Sequence, residues 1–221
     1  MASTPITPRV DTGMLLLADI SGYTSFLAAV AAAHPEMADP GGSVPTAYPV
    51  IASLLDAVVE RITPAYRLAQ VEGDAVFAYA AMPAGPDGES VETLSLVRLA
   101  YAAFRERIDQ ARLLQADDCQ ACLVLGTLEL KFVLHHGTFV VHSVAGMAQL
   151  AGPAVNVAHR LLKNSITAKT GLRAYLLVTD AAADHLRLRA GHGLAHEEHY
   201  DDIGPISGRV IELAEPARDT A

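Results

Sequence analysis

Apolar residues along this chain switch between short consecutive runs and longer stretches in which they recur every third or fourth position. That change of period divides the chain into strands and helices. The first clear run, Met14-Leu-Leu-Leu-Ala18, ends at Asp19 and predicts a strand buried on both faces with an acid at its C-terminal end. Ser21-Gly22 then turns the chain into a helix expected over Tyr23 to Ala33. His34 to Pro49 carries four prolines and two adjacent glycines and reads as a loop. Val50 to Ile62 places Ile51, Leu54, Leu55, Val58 and Ile62 on one side of an amphipathic helix, which Pro64 stops. Arg67 to Ala80 reads as two short strands about the tight-turn pair Gly73-Asp74.

After a second Pro/Gly loop, Met82 to Gly88, a long helix is expected over Ser90 to Leu114, with Val97, Tyr101, Phe104 and Ile108 as its buried stripe. Cys122 to Val144 suggests two strands that turn at Gly137. A helix follows Gly152-Pro153 over Ala154 to Asn164. Ala174 to Val178 reads as a strand leading into a short helix from Asp180, and Arg209 to Leu213 as a closing strand. The order β-α-α-β-β-α-β-β-α-β-α-β predicts an α+β sandwich with helices covering one sheet.

Composition narrows the class. At 221 residues, a single domain is expected, with a core over about 14–213 and short flexible termini. A net charge of −9 argues against a nucleic-acid partner, which needs a basic footprint. No apolar run approaches the roughly 20 residues that span a bilayer, so no membrane partner is expected. The N-terminus has no basic region leading into an apolar core, which makes the cytoplasm the expected location.

Four groups of residues suggest chemistry. Asp19 at a strand end and Asp74 at a hairpin tip would converge if their strands are neighbours, giving the oxygen-rich site that hard divalent cations want. Taken singly, each is also an ordinary turn residue. The amides of Ser21, Gly22, Tyr23 and Thr24 open a helix N-terminus, which favours phosphate. Asn156 and Arg160 are one turn apart and project together, either as a solvated face or as donors to a ribose and a phosphate. Cys119-Gln-Ala-Cys122 is open to three readings: two unmodified thiols, half of a structural Zn²⁺ site completed in a dimer, or a redox pair.

The segments ADISGYTSF, VEGDAVFAY, KFVLHHG and GPAVNVAHRL, in that order, resemble four successive motifs of the class III nucleotidyl cyclases, the adenylate and guanylate cyclase catalytic domain. The overall look is similar to an uncharacterised bacterial branch of that superfamily, and it extends from about Met14 to Leu213. The resemblance implies a ferredoxin-like, mainly antiparallel sheet covered by helices. It also implies conversion of a nucleoside triphosphate to a 3′,5′-cyclic nucleotide and pyrophosphate with two Mg²⁺ or Mn²⁺ per site. Asp19, Asp74 and the Ile20 carbonyl would hold the metals, Ser21 to Thr24 the phosphate, Asn156 the ribose and Arg160 the transition state, at the interface of a homodimer.

The sequence also departs from the family pattern. Gln70 and Gln149 stand where the family reads the base, and glutamine pairs with any of them. A lysine expected near DDIGPISGRV to hold the polyphosphate has no counterpart there, with Arg209 and Lys163 the nearest substitutes. These departures support an alternative: a non-catalytic cyclase-fold module that binds a nucleotide or regulates a partner. His192, His196 and His199 read as a solvated loop, His135 and His136 as core histidines, and His159 as a packing or interface residue.

Overall fold

The computed structural model describes residues 7–35, 41–81, 89–114, 124–189 and 191–214. Its strands are β1 (Arg9–Ser21), β2 (Arg67–Glu72), β3 (Ala75–Ala81), β4 (Glu129–Val144), β5 (Met147–Ala151), β6 (Tyr175–Thr179), β7 (Leu194–Tyr200) and β8 (Gly204–Glu212). Its helices are α1 (Tyr23–Ala33), α2 (Ala47–Ile62), α3 (Glu89–Leu114), α4 (Pro153–Leu161), α5 (Ile166–Thr170) and α6 (Asp180–His185). The strands form one sheet in the order β2-β3-β1-β4-β6-β8-β7, with β5 paired to the far end of β4. Among the described residues, only the β4–β6 pair is parallel. This is the α+β architecture that the element order predicts, with the mainly antiparallel sheet that the family resemblance implies.

Strand β1 lies inside the sheet, and its consecutive apolar residues serve two cores at once. Met14, Leu16, Ala18 and Ile20 point into a core closed by α1, α2, α3 and α6, whereas Leu15 and Leu17 point into a second closed by α4. The stripes on α2 (Ile51, Leu54, Leu55, Val58, Ile62) and on α3 (Val97, Tyr101, Phe104, Ile108) are all buried in the first core. Each such side chain stabilises the fold by about 1.5–3 kcal/mol, which offsets the entropy of ordering its helix.

Several boundaries differ from the sequence reading. The span Glu129 to Val144 is one continuous strand, not two strands turning at Gly137. Gly137 sits mid-strand because α4 lies against it: a Cβ there would meet the Ala154 Cβ at 2.6 Å. The turn falls instead at Ala145-Gly146, with φ of 51° and 81°, the left-handed pair that a two-residue hairpin requires. Helix α2 starts at Ala47, with Pro49 in its first turn, where no amide bond is lost. Helix α4 ends at Leu161 and the short α5 follows it. The expected loop around His196 and His199 is strand β7, and β8 begins at Gly204, ahead of Arg209.

Neighbouring histidines on β4 hold α6 at both ends. His135 Nδ1 shares a hydrogen bond of 3.0 Å with Thr179 Oγ1, the N-cap that also accepts from the Ala182 amide. His136, on the opposite face, stacks on His185 with ring centroids 4.1 Å apart. Burial, with a smaller contribution from His136, pushes the His135 imidazole down from 6.5 to about 4. Folded His135 therefore stays neutral in a range where the unfolded chain takes up a proton. The contribution of His135 to stability is complete above pH 6.5 and falls as pH drops towards 4. Thermal melts across this window should show Tm dropping with pH, and a shallower drop in His135→Asn.

Candidate active site

The site begins where β1 ends. Asp19 pairs with Ala75 across the β1–β3 ladder, and the Ile20 amide donates to the Asp74 carbonyl at 3.2 Å. Gly73, at φ 58°, makes the tight turn that delivers Asp74 beside β1. The two carboxylates therefore meet at one sheet edge. Burial and then the charge of Asp19 push the Asp74 carboxyl above the usual carboxylate range. Asp19 itself is paired with Lys131 Nζ at 2.9 Å, their side chains 19% and 18% exposed. Lys131 stands directly opposite Asp19 in the β1–β4 register, so both project from the same face. Its ammonium also donates to the Leu162 carbonyl at 3.0 Å.

Helix α1 opens beside this pair. Gly22 takes φ 90° at its N-cap, where a side chain would be strained, and it has no side chain of its own to cap the first amides. The first turn also carries no acid, so the helix dipole there is uncompensated by its own residues.

The third wall is α4. Gly152 turns the chain and Pro153 starts the helix, a position where a missing N–H costs nothing. Ala154, Val155, Ala158 and Leu161 are buried against the sheet, which leaves Asn156 and Arg160 exposed on the other side. Arg160 Nη2 pairs with Asp202 Oδ2 at 2.7 Å, at the turn between β7 and β8. The carbonyls at the end of α4 are held by side chains from elsewhere: Tyr200 OH donates to Arg160 at 3.0 Å and Asn164 Nδ2 to Leu161 at 2.8 Å. Behind them, Glu198 Oε1 accepts from the Ser165 amide and hydroxyl and pairs with His196 Nε2, each at 2.6 Å. That network explains why an acid and an imidazole sit nearly buried on an edge strand.

Asp19, Ile20, Ser21, Gly22, Tyr23, Thr24, Asp74, Asn156 and Arg160 line one cleft of about 1270 Å³, together with Lys131, His159, Lys163 and Asp202. The sequence reading left out Lys131 and Asp202. A lysine inside the apolar strand LKFVL was a usable signal, because a largely buried ammonium needs a counter-charge. Asp202 gave none, since its role depends on where a turn lands. His159 packs edge-on against Phe77 at 4.8 Å while also lining the cleft, and burial lowers its pKa. Gln70, which donates to Glu72, and Gln149, on β5, lie outside the cleft lining. Of the two cations considered as polyphosphate substitutes, Lys163 reaches the cleft and Arg209 does not. Cys119 and Cys122 fall outside the described residues.

Among the described residues no group of three or more histidine, cysteine or acidic side chains could hold a metal. Two carboxylates and a backbone carbonyl still fit a hard divalent cation of the Mg²⁺ type, which takes few protein ligands and completes its shell with water and phosphate. The Asp74 carboxyl, raised first by burial and then by the Asp19 charge, lies where added positive charge would favour its ionised form.

This fold is that of the class III nucleotidyl cyclase catalytic domains. The guanylyl cyclase Cya2 superposes with a TM-score of 0.64 at 15% identity over 97% of this chain and 98% of its own. The adenylyl cyclase CyaB from P. aeruginosa gives 0.59 at 13% identity, covering 98% and 100%. The guanylate cyclase domain of RhGC from Catenaria anguillulae, solved with GTP, gives 0.53 at 12% identity over 95% of this chain and 100% of that domain. At sequence level, residues 51–170 match the model of a protein family of unknown function, DUF2652. An uncharacterized protein of Mycobacterium tuberculosis, Rv2561/Rv2562, is 32% identical over 74% of each chain. The chain belongs to the DUF2652 family. No helix among the described residues is long and apolar enough to cross a membrane.

Proposed function

We propose that this protein is a nucleotidyl cyclase that converts a nucleoside triphosphate to a 3′,5′-cyclic nucleotide and pyrophosphate, as a homodimer of single-domain chains. One observation carries the proposal: two converging carboxylates, an uncapped helix N-terminus and the Asn156/Arg160 pair line a single cleft. Asp19, Asp74 and the Ile20 carbonyl hold two Mg²⁺ or Mn²⁺ ions. When bound, such ions make the ribose 3′-hydroxyl more acidic and neutralise charge on the phosphates. The amides of Ser21 to Thr24 orient phosphate oxygens. Asn156 orients the ribose, and Arg160 stabilises charge that develops on the transferred phosphorus. Lys163, exposed on the cleft, adds positive charge in place of the lysine that the C-terminal segment lacks.

The test is a mass-spectrometric product assay of the purified protein with ATP, GTP, CTP and UTP, in Mn²⁺ and then Mg²⁺. A cyclic product is expected from at least one triphosphate. No cyclic product from any of the four, with the dimer confirmed in solution, would overturn the proposal. A second reading, a nucleotide-binding or regulatory module without turnover, draws on the Arg160–Asp202 pair, which occupies the transition-state arginine, and on the unspecific Gln70 and Gln149. Calorimetric nucleotide binding without product would favour it.

A further inference from the structure

We propose that Lys131 is a built-in counter-ion, which occupies the charge position of a divalent cation and prevents the Asp19/Asp74 pair from binding that cation tightly on its own. The inference rests on the reading of this pair as a metal site. Lys131 Nζ is 2.9 Å from Asp19 Oδ2, and both side chains are about four-fifths buried. The ammonium is also fixed from behind by the Leu162 carbonyl at 3.0 Å, and its strand position is set by the Asp19–Lys131 register. It cannot swing away without breaking a bond to the end of α4.

Charge counting shows the consequence. Two carboxylates and one ammonium leave a net charge of −1 in the largely buried site. The other charged side chains on the cleft do not alter this balance in the cation's favour: Arg160 and Asp202 neutralise one another, and Lys163 is positive and exposed. A divalent ion entering beside Lys131 would bring the site to +1, and like charges at such separations repel strongly where water is partly excluded. Without the lysine the same ion would bring it to zero. The bare protein is therefore a poor metal binder, and an anionic ligand must share the site before a cation is held well.

A purely structural lysine predicts the opposite outcome. If Lys131 only braced α4 through Leu162, its loss would loosen the site and weaken metal binding. The experiment is a Mn²⁺ titration of nucleotide-free protein, followed by electron paramagnetic resonance of the free ion. It compares the native chain with Lys131→Gln, with Lys131→Met as a second neutral variant and with Lys131→Arg. Both neutral variants should bind Mn²⁺ at least about tenfold more tightly than the native chain, and the arginine variant should remain close to native. Tight binding that appears only in the neutral variants would support the proposal equally. Unchanged or weaker binding in a folded neutral variant would overturn it. Adding Asp74→Asn to Lys131→Gln separates the two levels. If the gained affinity survives that change, the ion lies elsewhere, and the metal-site reading falls together with the inference.

Discussion

Asp74→Ala should abolish cyclic-nucleotide formation and at the same time raise the melting temperature. The activity loss should exceed about 10²-fold, because even residues that only orient metal ligands are worth 10–100-fold, and Asp74 is proposed to be a ligand. The gain in stability has a separate cause. Burial and then the Asp19 charge raise the Asp74 carboxyl above its ordinary 3.8, so its ionised form is disfavoured in the folded chain. A raised folded pKa means that its contribution is most favourable below about pH 3.8, and is lost as pH rises through the folded value. At neutral pH the ionised group therefore costs stability, and removing it returns that cost. Asp19→Ala should be equally inactive but less stable, because it strands Lys131, four-fifths buried, without its counter-charge. Melting curves and the product assay on both variants check this. Falls in Tm for both would show that Asp74 is an ordinary structural carboxylate, and retained activity would remove it from the site. The opposed stabilities of two adjacent acids are what is expected of a site kept for function at the expense of the fold.

Arg160→Ala should lower kcat by about 10²–10³-fold, the usual cost of removing one donor aimed at developing charge. Lysine should rescue little, since it lacks the planar fork of arginine. Asp202→Ala tests the resting state of the same residue. The Arg160–Asp202 pair is more than half exposed at both ends, and exposed pairs contribute only about 0–1 kcal/mol. Its loss should barely move Tm and should raise kcat/KM by up to about fivefold. A fall in activity with Asp202→Ala would mean that the acid orients Arg160 rather than restraining it. Mixing Asp74→Ala with Arg160→Ala chains then tests where the halves work. Sites shared across a homodimer would regain activity, because one of the two sites in a mixed dimer carries neither change. Sites completed within one chain would stay inactive.

What could be read from the chain alone was local. Met14 to Ala18 reads as a strand buried on both sides, and it lies between β3 and β4 with its residues divided between two cores. Gly73-Asp74 is a turn for backbone reasons that hold in any fold. The helical stripes of α2 and α3 are buried as their spacing requires. Where the reading went astray, a residue's reason for being there lay outside its own segment. Gly137 resembles a turn but is a strand glycine that admits Ala154. The sequence LAHEEHY has no apolar alternation, yet it forms an edge strand, because β8 supplies its ladder and Ser165 and His196 satisfy Glu198.

The same division holds for the site. The sequence by itself determined the groups with chemistry: two acids at strand and turn ends, an open helix N-terminus, and an amide and a guanidinium one helical turn apart. Only the tertiary structure decided that they share one cleft, that Lys131 pairs with Asp19, and that Asp202 pairs with Arg160. Backbone propensities and side-chain periods act over a few residues and are written in the local sequence. Cross-strand register and the landing point of a turn depend on how distant segments pack, and the charge balance of the cleft follows from those contacts.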